Sequence, residues 1–373
     1  MTKHDVKAVE YFIKNHMENS AAISPLLEYV HFTCTSEDIN NVAYALSLHE
    51  AKHLVMDKSM NGIVDLLSNK AGEYKSSAMM ARTHGQPATP TTMGKEMANF
   101  AYRLHNIQNL NRNLKFAAKL NGATGNYNAH VLVHPEFNWP ELSRKFIEGL
   151  GLEWNPYSTQ IESHDSYCQY FRNISAYNTI LLGLSKDMWH YISLGYFKQK
   201  VVSTEVGSST MPHKVNPIMF ENAEGNLGIA NALYDHFATK LPISRYQRDL
   251  SDSTVLRNIG VAFGHSKLAY DSFTGGVGRL DINEACLAAE LDDHWELLAE
   301  PIQMMMRKYD TPNPYEKLKE FSRAGKVTEK SVREFISGIE MGDADKRLLM
   351  QLRPETYVGL AAQFAADLEK YKK

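Results

Sequence analysis

An apolar stripe runs along residues 174–191. Ile174, Tyr177, Leu181, Leu184, Met188 and Tyr191 follow one another at alternating steps of three and four, and Ile180 and Ile192 widen the band. That spacing keeps returning to one face of a 3.6-residue helix. A long helix with such a face needs partners, and the bland use of the stripe is a bundle core. Similar helical patterns occupy 39–75, 91–120, 216–241 and 253–275. The fold class expected is therefore all-α, a bundle of long helices.

Interruptions are few. The turn-rich run Asn121-Gly122-Ala123-Thr124-Gly125-Asn126 and the stretch 131–139 predict a small β or loop excursion. Pro301 interrupts the helical pattern of 295–307 and should kink or restart it. A shift in composition after about Gly275 marks a boundary to a small C-terminal helical domain. There is no internal repeat and no low-complexity tract.

Bulk properties exclude several classes. The 373 residues suffice for two or three domains with a sizeable core. A net charge of -3, from 40 basic and 43 acidic residues, gives no reason to expect nucleic-acid binding or a basic membrane patch. Three scattered cysteines, Cys34, Cys168 and Cys286, fit a reduced compartment better than a disulfide framework. No apolar run spans a bilayer and the N-terminus has no apolar signal region. The expected location is the cytoplasm.

The chemistry concentrates in Gly207-Ser208-Ser209-Thr210-Met211-Pro212-His213-Lys214-Val215-Asn216-Pro217. Gly207 can take backbone angles closed to other residues. Pro212 and Pro217 forbid a regular helix or central strand through the segment. The segment predicts a directed loop carrying hydroxyl, cation and amide donors, suited to pulling a proton and steadying an anion.

This loop resembles the signature loop of the fumarase/aspartase superfamily. Four further segments follow the order of its adenylosuccinate lyase branch. His4-Asp5-Val6 is similar to that family's His-Asp-Val segment, and Phe32-Thr33-Cys34-Thr35-Ser36-Glu37-Asp38 to its Thr-Ser substrate loop. Ala81-Arg82-Thr83-His84-Gly85-Gln86-Pro87 resembles its histidine loop. Arg245-Tyr246-Gln247-Arg248-Asp249, running on to Ser253-Thr254-Val255-Leu256-Arg257, resembles its nucleotide-phosphate segment. The resemblance implies a tetramer that pools its long helices and builds each active site from three chains. It also implies a helical N-terminal stretch ahead of His4, with an Arg-Tyr pair for substrate. The expected division is a remnant of that domain at 1–24, a central bundle at 25–277 and a C-terminal helical domain at 278–373.

The reaction implied is β-elimination of fumarate from adenylosuccinate, giving AMP, and from succinylaminoimidazole carboxamide ribotide. Ser208 is the expected base, with Ser209 the other candidate. A serine hydroxyl needs a dry site and nearby positive charge to act as one, which Lys214 or His213 would supply. Lys214 and Asn216 also suit the developing aci-carboxylate. His84 is the expected general acid, because imidazole exchanges protons near neutral pH. It should lie in a compact polar loop opening a helix. His4 either orients it or contacts phosphate, with Asp5 beside it, and His31 is either a nearby site residue or a packed one. Arg248, Ser253, Thr254 and Arg257 read as a phosphate clamp, with Arg245 a clamp member or a solvated charge. Thr35, Ser36, Gln160 and Asn222 suit hydrogen bonds to carboxylate or base.

No cofactor and no metal are expected. His49-Glu50-Ala51-Lys52-His53 fits the zinc-protease pattern, but only Glu73 offers a downstream ligand among many acids. The competing readings are argininosuccinate lyase or aspartase activity, for which the phosphate segment has no use, and an inactive scaffold without its first domain.

Overall fold

The computed structural model describes residues 3–200, 211, 214–323 and 325–372. Ser208, Ser209 and His213 lie outside them. Among the described residues the chain is all-α in class, with strands confined to three two-stranded ladders.

Helix α1 (Asp5–Met17) is capped by His4, whose Nδ1 accepts from Lys7 N at 3.3 Å. Helix α2 (Ser36–Ala51) passes through one π-type turn, Lys52–Met56, into α3 (Asp57–Glu73). The pattern over 39–75 is thus one continuous helical run. Strands β1 (Ala78–Thr83) and β2 (Gln86–Thr92) form an antiparallel hairpin that leads into α4 (Met93–Arg112). Gly94 lets that junction approach α3 closely. A Cβ there would sit 2.5 Å from the Ala71 carbonyl oxygen, and Gly94 N donates to Tyr74 O at 2.9 Å.

The helix expected to reach residue 120 stops at Arg112. Beyond it, β3 (Ala117–Ala118) pairs in parallel with β4 (Glu153–Trp154). Between these strands lie α5 (Asn128–Val133) and α6 (Trp139–Gly149). Of the small β or loop excursion expected, 121–126 and 134–138 are loop, 131–133 closes α5, and the β pairing lies outside it at 117–118 and 153–154. Asn138 caps α6 by accepting from Glu141 N, and Pro140 occupies its first turn, a position that lacks nothing by losing an N–H.

The apolar stripe lies on α7 (Asp165–Ser193). Ile174, Tyr177, Leu181, Leu184 and Met188 are at most 1% exposed; Tyr191 is half-buried. Helix α8 (Ile218–Lys240) follows the 216–241 pattern closely. The pattern over 253–275 divides into α9 (Ser251–Leu256) and α10 (Ile259–Gly278). Asn258 marks the break: its side chain donates to Thr254 O at 2.9 Å, competing with the helical ladder. Strands β5 (Phe197–Gln199) and β6 (Leu280–Ile282) pair antiparallel, and α11 (Glu284–Asp293) follows. A 3₁₀ turn at Trp295–Leu298 gives way to α12 (Ala299–Lys308), so the helix restarts just ahead of Pro301 as expected. Helices α13 (Pro314–Arg323), α14 (Glu329–Ser337), α15 (Asp343–Gln351) and α16 (Ala361–Ala366) come next.

The residues gather into two compact units that alternate along the chain. One comprises Met1–Asn61, Ile107–Leu182 and Glu224–Asp271; the other comprises Gly62–Asn106, Gly183–Ala223 and Ser272–Lys373. In the first, two of the buried tyrosines pair their desolvated hydroxyls with oxygen acceptors. Tyr177 donates to Met60 O at 3.0 Å, and Tyr270 to Asn178 Oδ1 at 2.6 Å. In the second, Trp295, Ile302, Met306, Val332 and Ile336 form an apolar cluster. The guanidiniums of Arg333 and Arg353 lie 5.1 and 5.3 Å from the Trp295 ring, in cation–π contact. No described helix is long and apolar enough to cross a membrane.

Candidate active site

A cavity of about 710 Å³ opens in the first unit. Its walls bring together residues from four distant stretches of sequence: His4 and Asp5, Thr35 and Ser36, Gln160, and Arg248, Ser253 and Arg257. Each was expected at the site. The described walls are mainly polar, with the guanidiniums of Arg248 and Arg257, the hydroxyls of Thr35, Ser36, Tyr44 and Ser253, and the carboxylates of Asp5, Glu37 and Asp252. The cations and hydroxyls suit a phosphorylated ligand.

The Thr35-Ser36 edge is fixed from below. Thr35 is the N-cap of α2, and its backbone N–H donates to Asp38 Oδ2 at 2.8 Å. Asp38 also accepts from Asn121 N at 3.1 Å and Gly122 N at 3.1 Å. Lys119 Nζ stands 2.8 Å from Asp38 Oδ1, with both side chains fully buried. The Lys119 ammonium also donates to Gly122 O at 3.0 Å. Burial pulls the Lys119 pKa down, against the attraction of Asp38. One carboxylate therefore orders both the start of α2 and the 121–122 turn. Burial pushes the thiol of Cys34, next along this edge, up to about 11, which disfavours the thiolate near neutral pH. His4 closes the edge, with Nε2 3.4 Å from Ser36 Oγ.

Opposite stands Arg248. Its Nη1 lies 3.0 Å from Glu37 Oε1 and 3.9 Å from Asp252 Oδ2. The loop that carries it is tied by Asp249, which accepts from Arg245 N at 2.8 Å and Ser251 N at 2.7 Å. Hydrogen bonds from the Ser251 hydroxyl, and then from these two N–H groups, hold the Asp249 carboxyl well below the usual carboxylate range. Arg245 is an exposed charge on that loop and does not line the cavity. Arg257, exposed and lining the cavity, is the more open guanidinium. Beneath, buried His164 donates its backbone N–H to buried Glu162 at 2.6 Å.

Sequence reasoning missed Glu37 and Asp252. Asp252 had a signal, four residues after Arg248, the spacing at which helical ion pairs form. Lys119 had none.

His84 belongs to the second unit. It sits at the tip of the β1–β2 hairpin rather than in a loop opening a helix; a full strand separates it from α4. Thr83 pairs with Gln86, so His84 and Gly85 form a two-residue turn, with φ of 56° and 74°. Positive φ at both central positions is the type I′ hairpin geometry. The imidazole is exposed. In the same unit Lys214 is exposed, and its N–H donates to Met211 O at 3.0 Å. Asn216 is half-buried. Asn222, on α8, accepts from Ser272 Oγ at 2.8 Å. In the first unit, exposed Thr254 does not line the cavity, and half-buried His31 has φ of 66°.

The two histidines of the zinc-like motif contact each other, and one of them contacts a carboxylate. The rings of His49 and His53 meet edge to face at 4.5 Å. His53 pairs with Asp57 at 3.2 Å, where the buried Lys52 ammonium already sits at 2.9 Å. Among the described residues no group of three His, Cys, Asp or Glu side chains is placed to hold a metal ion.

Comparison with known proteins covers nearly the whole chain. The family described as Lyase matches residues 1–230, and that described as Adenylosuccinate lyase C-terminal matches 244–358. An adenylosuccinate lyase of Vibrio cholerae is 50% identical over 98% of this chain and 81% of its own length. That of Escherichia coli K12 is 48% identical over 99% and 81%, and that of Legionella pneumophila strain Corby 51% over 97% and 79%. Among solved structures, a 3-carboxy-cis,cis-muconate lactonizing enzyme from Pseudomonas putida superposes with a TM-score of 0.78 at 19% identity, covering 98% of this chain and 81% of that one. A fumarate lyase from Mesorhizobium sp. BNC1 superposes at 0.75 and 16%, covering 92% and 78%. These two share the fold.

Proposed function

The chain belongs to the adenylosuccinate lyase family, and on that premise we propose that it cleaves adenylosuccinate to AMP and fumarate by β-elimination. Succinylaminoimidazole carboxamide ribotide, which carries the same succinyl-nitrogen group and a phosphate, is the second substrate. The observation that supports this reading most directly is the cavity. It assembles Thr35, Ser36, Gln160, Arg248, Ser253 and Arg257, the residues that a succinylated nucleotide would need.

The chemistry divides into three tasks. Ser208 takes the Cβ proton, with Ser209 the other hydroxyl available. Lys214 and Asn216 receive the charge that spreads into the neighbouring carboxylate, where fixed donors are most effective. His84 protonates the departing nitrogen. Arg257 and Ser253 hold the phosphate, with Thr254 and Arg248 beside them. A phosphate reaching Arg248 has to compete with Glu37, so that guanidinium is already oriented before ligand arrives. Thr35, Ser36, Gln160 and Asn222 hydrogen-bond the remainder of the ligand, and His4 with Asp5 borders it.

We further infer a cytoplasmic homotetramer whose sites are completed between subunits, with the domain bounds expected from sequence. An absorbance assay of adenylosuccinate cleavage tests the activity. Turnover of adenylosuccinate and none of argininosuccinate is the expected result. Binding of adenylosuccinate without turnover would point to the scaffold reading instead.

A further inference from the structure

Resting on the reading of His84 as the acid, we propose that Glu290 is a positioning residue that holds the hairpin presenting His84. A two-residue turn has no lateral support of its own, so its imidazole inherits its place from the strands. Those strands are gripped by acids from the segment 284–300. Ser77, just before β1, donates to Glu284 Oε1 at 2.5 Å. Thr89, on β2, donates to Glu300 Oε2. Between them Arg82, on β1 and near the tip, donates through Nη2 to Glu290 Oε1.

Glu290 differs from the other two in what its second oxygen does. Oε2 accepts from the Tyr196 hydroxyl. Tyr196 stands between α7 and β5, and its own carbonyl accepts from Asn283 N at 2.8 Å. One carboxylate thus ties the acid-bearing hairpin to the segment that runs on through β5 toward Ser208 in the sequence. The pair with Arg82 is charge-assisted and partly shielded, with side chains 29% and 20% exposed. Ala78 and Met80 also pack on Leu291 and Leu297, so α11 and the hairpin share a small apolar cluster. A misplacement of about 1 Å in a reacting group costs on the order of 10² in rate. Glu290 need not touch substrate to matter.

Steady-state kinetics on the full chain test this. Glu290→Gln keeps the shape and drops the charge. It should lower kcat roughly tenfold or more while KM stays within about threefold. In a His84→Ala background the same change should cost less than about twofold, because Glu290 acts through His84. Tyr196→Phe removes one donor and strands no charge, so it should lower kcat by a smaller factor, again with KM kept. A full loss persisting in the His84→Ala background overturns the proposal, as does a rise in KM alone. If His84→Ala is damaging and both Glu290→Gln and Tyr196→Phe are silent, only the positioning role fails. If Glu290→Gln does not fold and Tyr196→Phe is silent, the role fails as well. If His84→Ala is itself silent, the acid assignment fails and takes the positioning role with it.

Discussion

Arg248 Nη1 rests 3.0 Å from Glu37 Oε1 and 3.9 Å from Asp252 Oδ2, with all three side chains largely buried. Removing the guanidinium would strand two carboxylates, and breaking such a pair from one side costs about 3 kcal/mol or more. Arg248→Met should therefore lower the unfolding free energy by about that amount. Adding Glu37→Gln should recover about 1 kcal/mol of it, since one of the stranded charges is gone. Urea titrations of the single and double variants measure both. A double variant no more stable than Arg248→Met would mean that the two side chains are uncoupled.

Ser208→Ala is expected to cut turnover by ~10²–10⁴, the usual contribution of a positioned base, with substrate binding within a few-fold. Ser209→Ala should be mild. The assignment of the two hydroxyls reverses if the damage follows Ser209.

Lys119→Met tests the support beneath the cavity edge. Asp38 would keep its three backbone N–H donors and lose its counter-charge, so the cost should be about 3 kcal/mol, at the lower end for a broken buried pair. Asp38→Asn should not rescue Lys119→Met, because both carboxylate oxygens accept backbone N–H groups and an amide NH2 would face a donor. Thermal and urea unfolding report this, and a Lys119→Met protein as stable as the parent would show that the ammonium adds nothing.

Acidification should weaken the fold from about pH 6.5 downward. Burial holds the His164 imidazole below its ordinary value of 6.5, against the opposite pull of Glu162 and Asp252. Burial lowers His130 too. Both stay neutral in the folded chain at a pH where the unfolded chain takes up protons. The unfolded state then binds more protons, so stability falls as pH drops through 6.5. His164→Gln should make the urea midpoint less sensitive to pH over that window. An unchanged pH dependence would remove His164 from the account.

The sequence was most legible where one physical signal acts alone. The stripe on α7 needed only periodicity, and all but its last position proved buried. The restart at Pro301 needed only the ring's clash with a preceding turn. The hairpin at 78–92 was hidden because Gln86-Pro87 and the threonines read equally well as a polar loop, and a two-residue turn leaves little trace beyond Gly85. Among site residues, the cavity group was legible through family resemblance to segments that the fold then drew together. Glu37 and Lys119 were not, since their roles depend on neighbours far away in the chain. A buried ion pair has no local spacing to betray it.

The backbone at His84 has a consequence for which residues can occupy that position at all. A φ of 56° excludes most side chains on steric grounds and favours glycine, asparagine, aspartate and histidine. Of these four, only histidine gains and loses a proton near neutrality with its ordinary pKa. The turn's geometry and the proton-donor role proposed for His84 therefore favour the same residue independently. A substitution that satisfies the first, such as His84→Asn, should preserve the hairpin and abolish the proton transfer, which makes it the cleanest way to separate shape from chemistry at this tip.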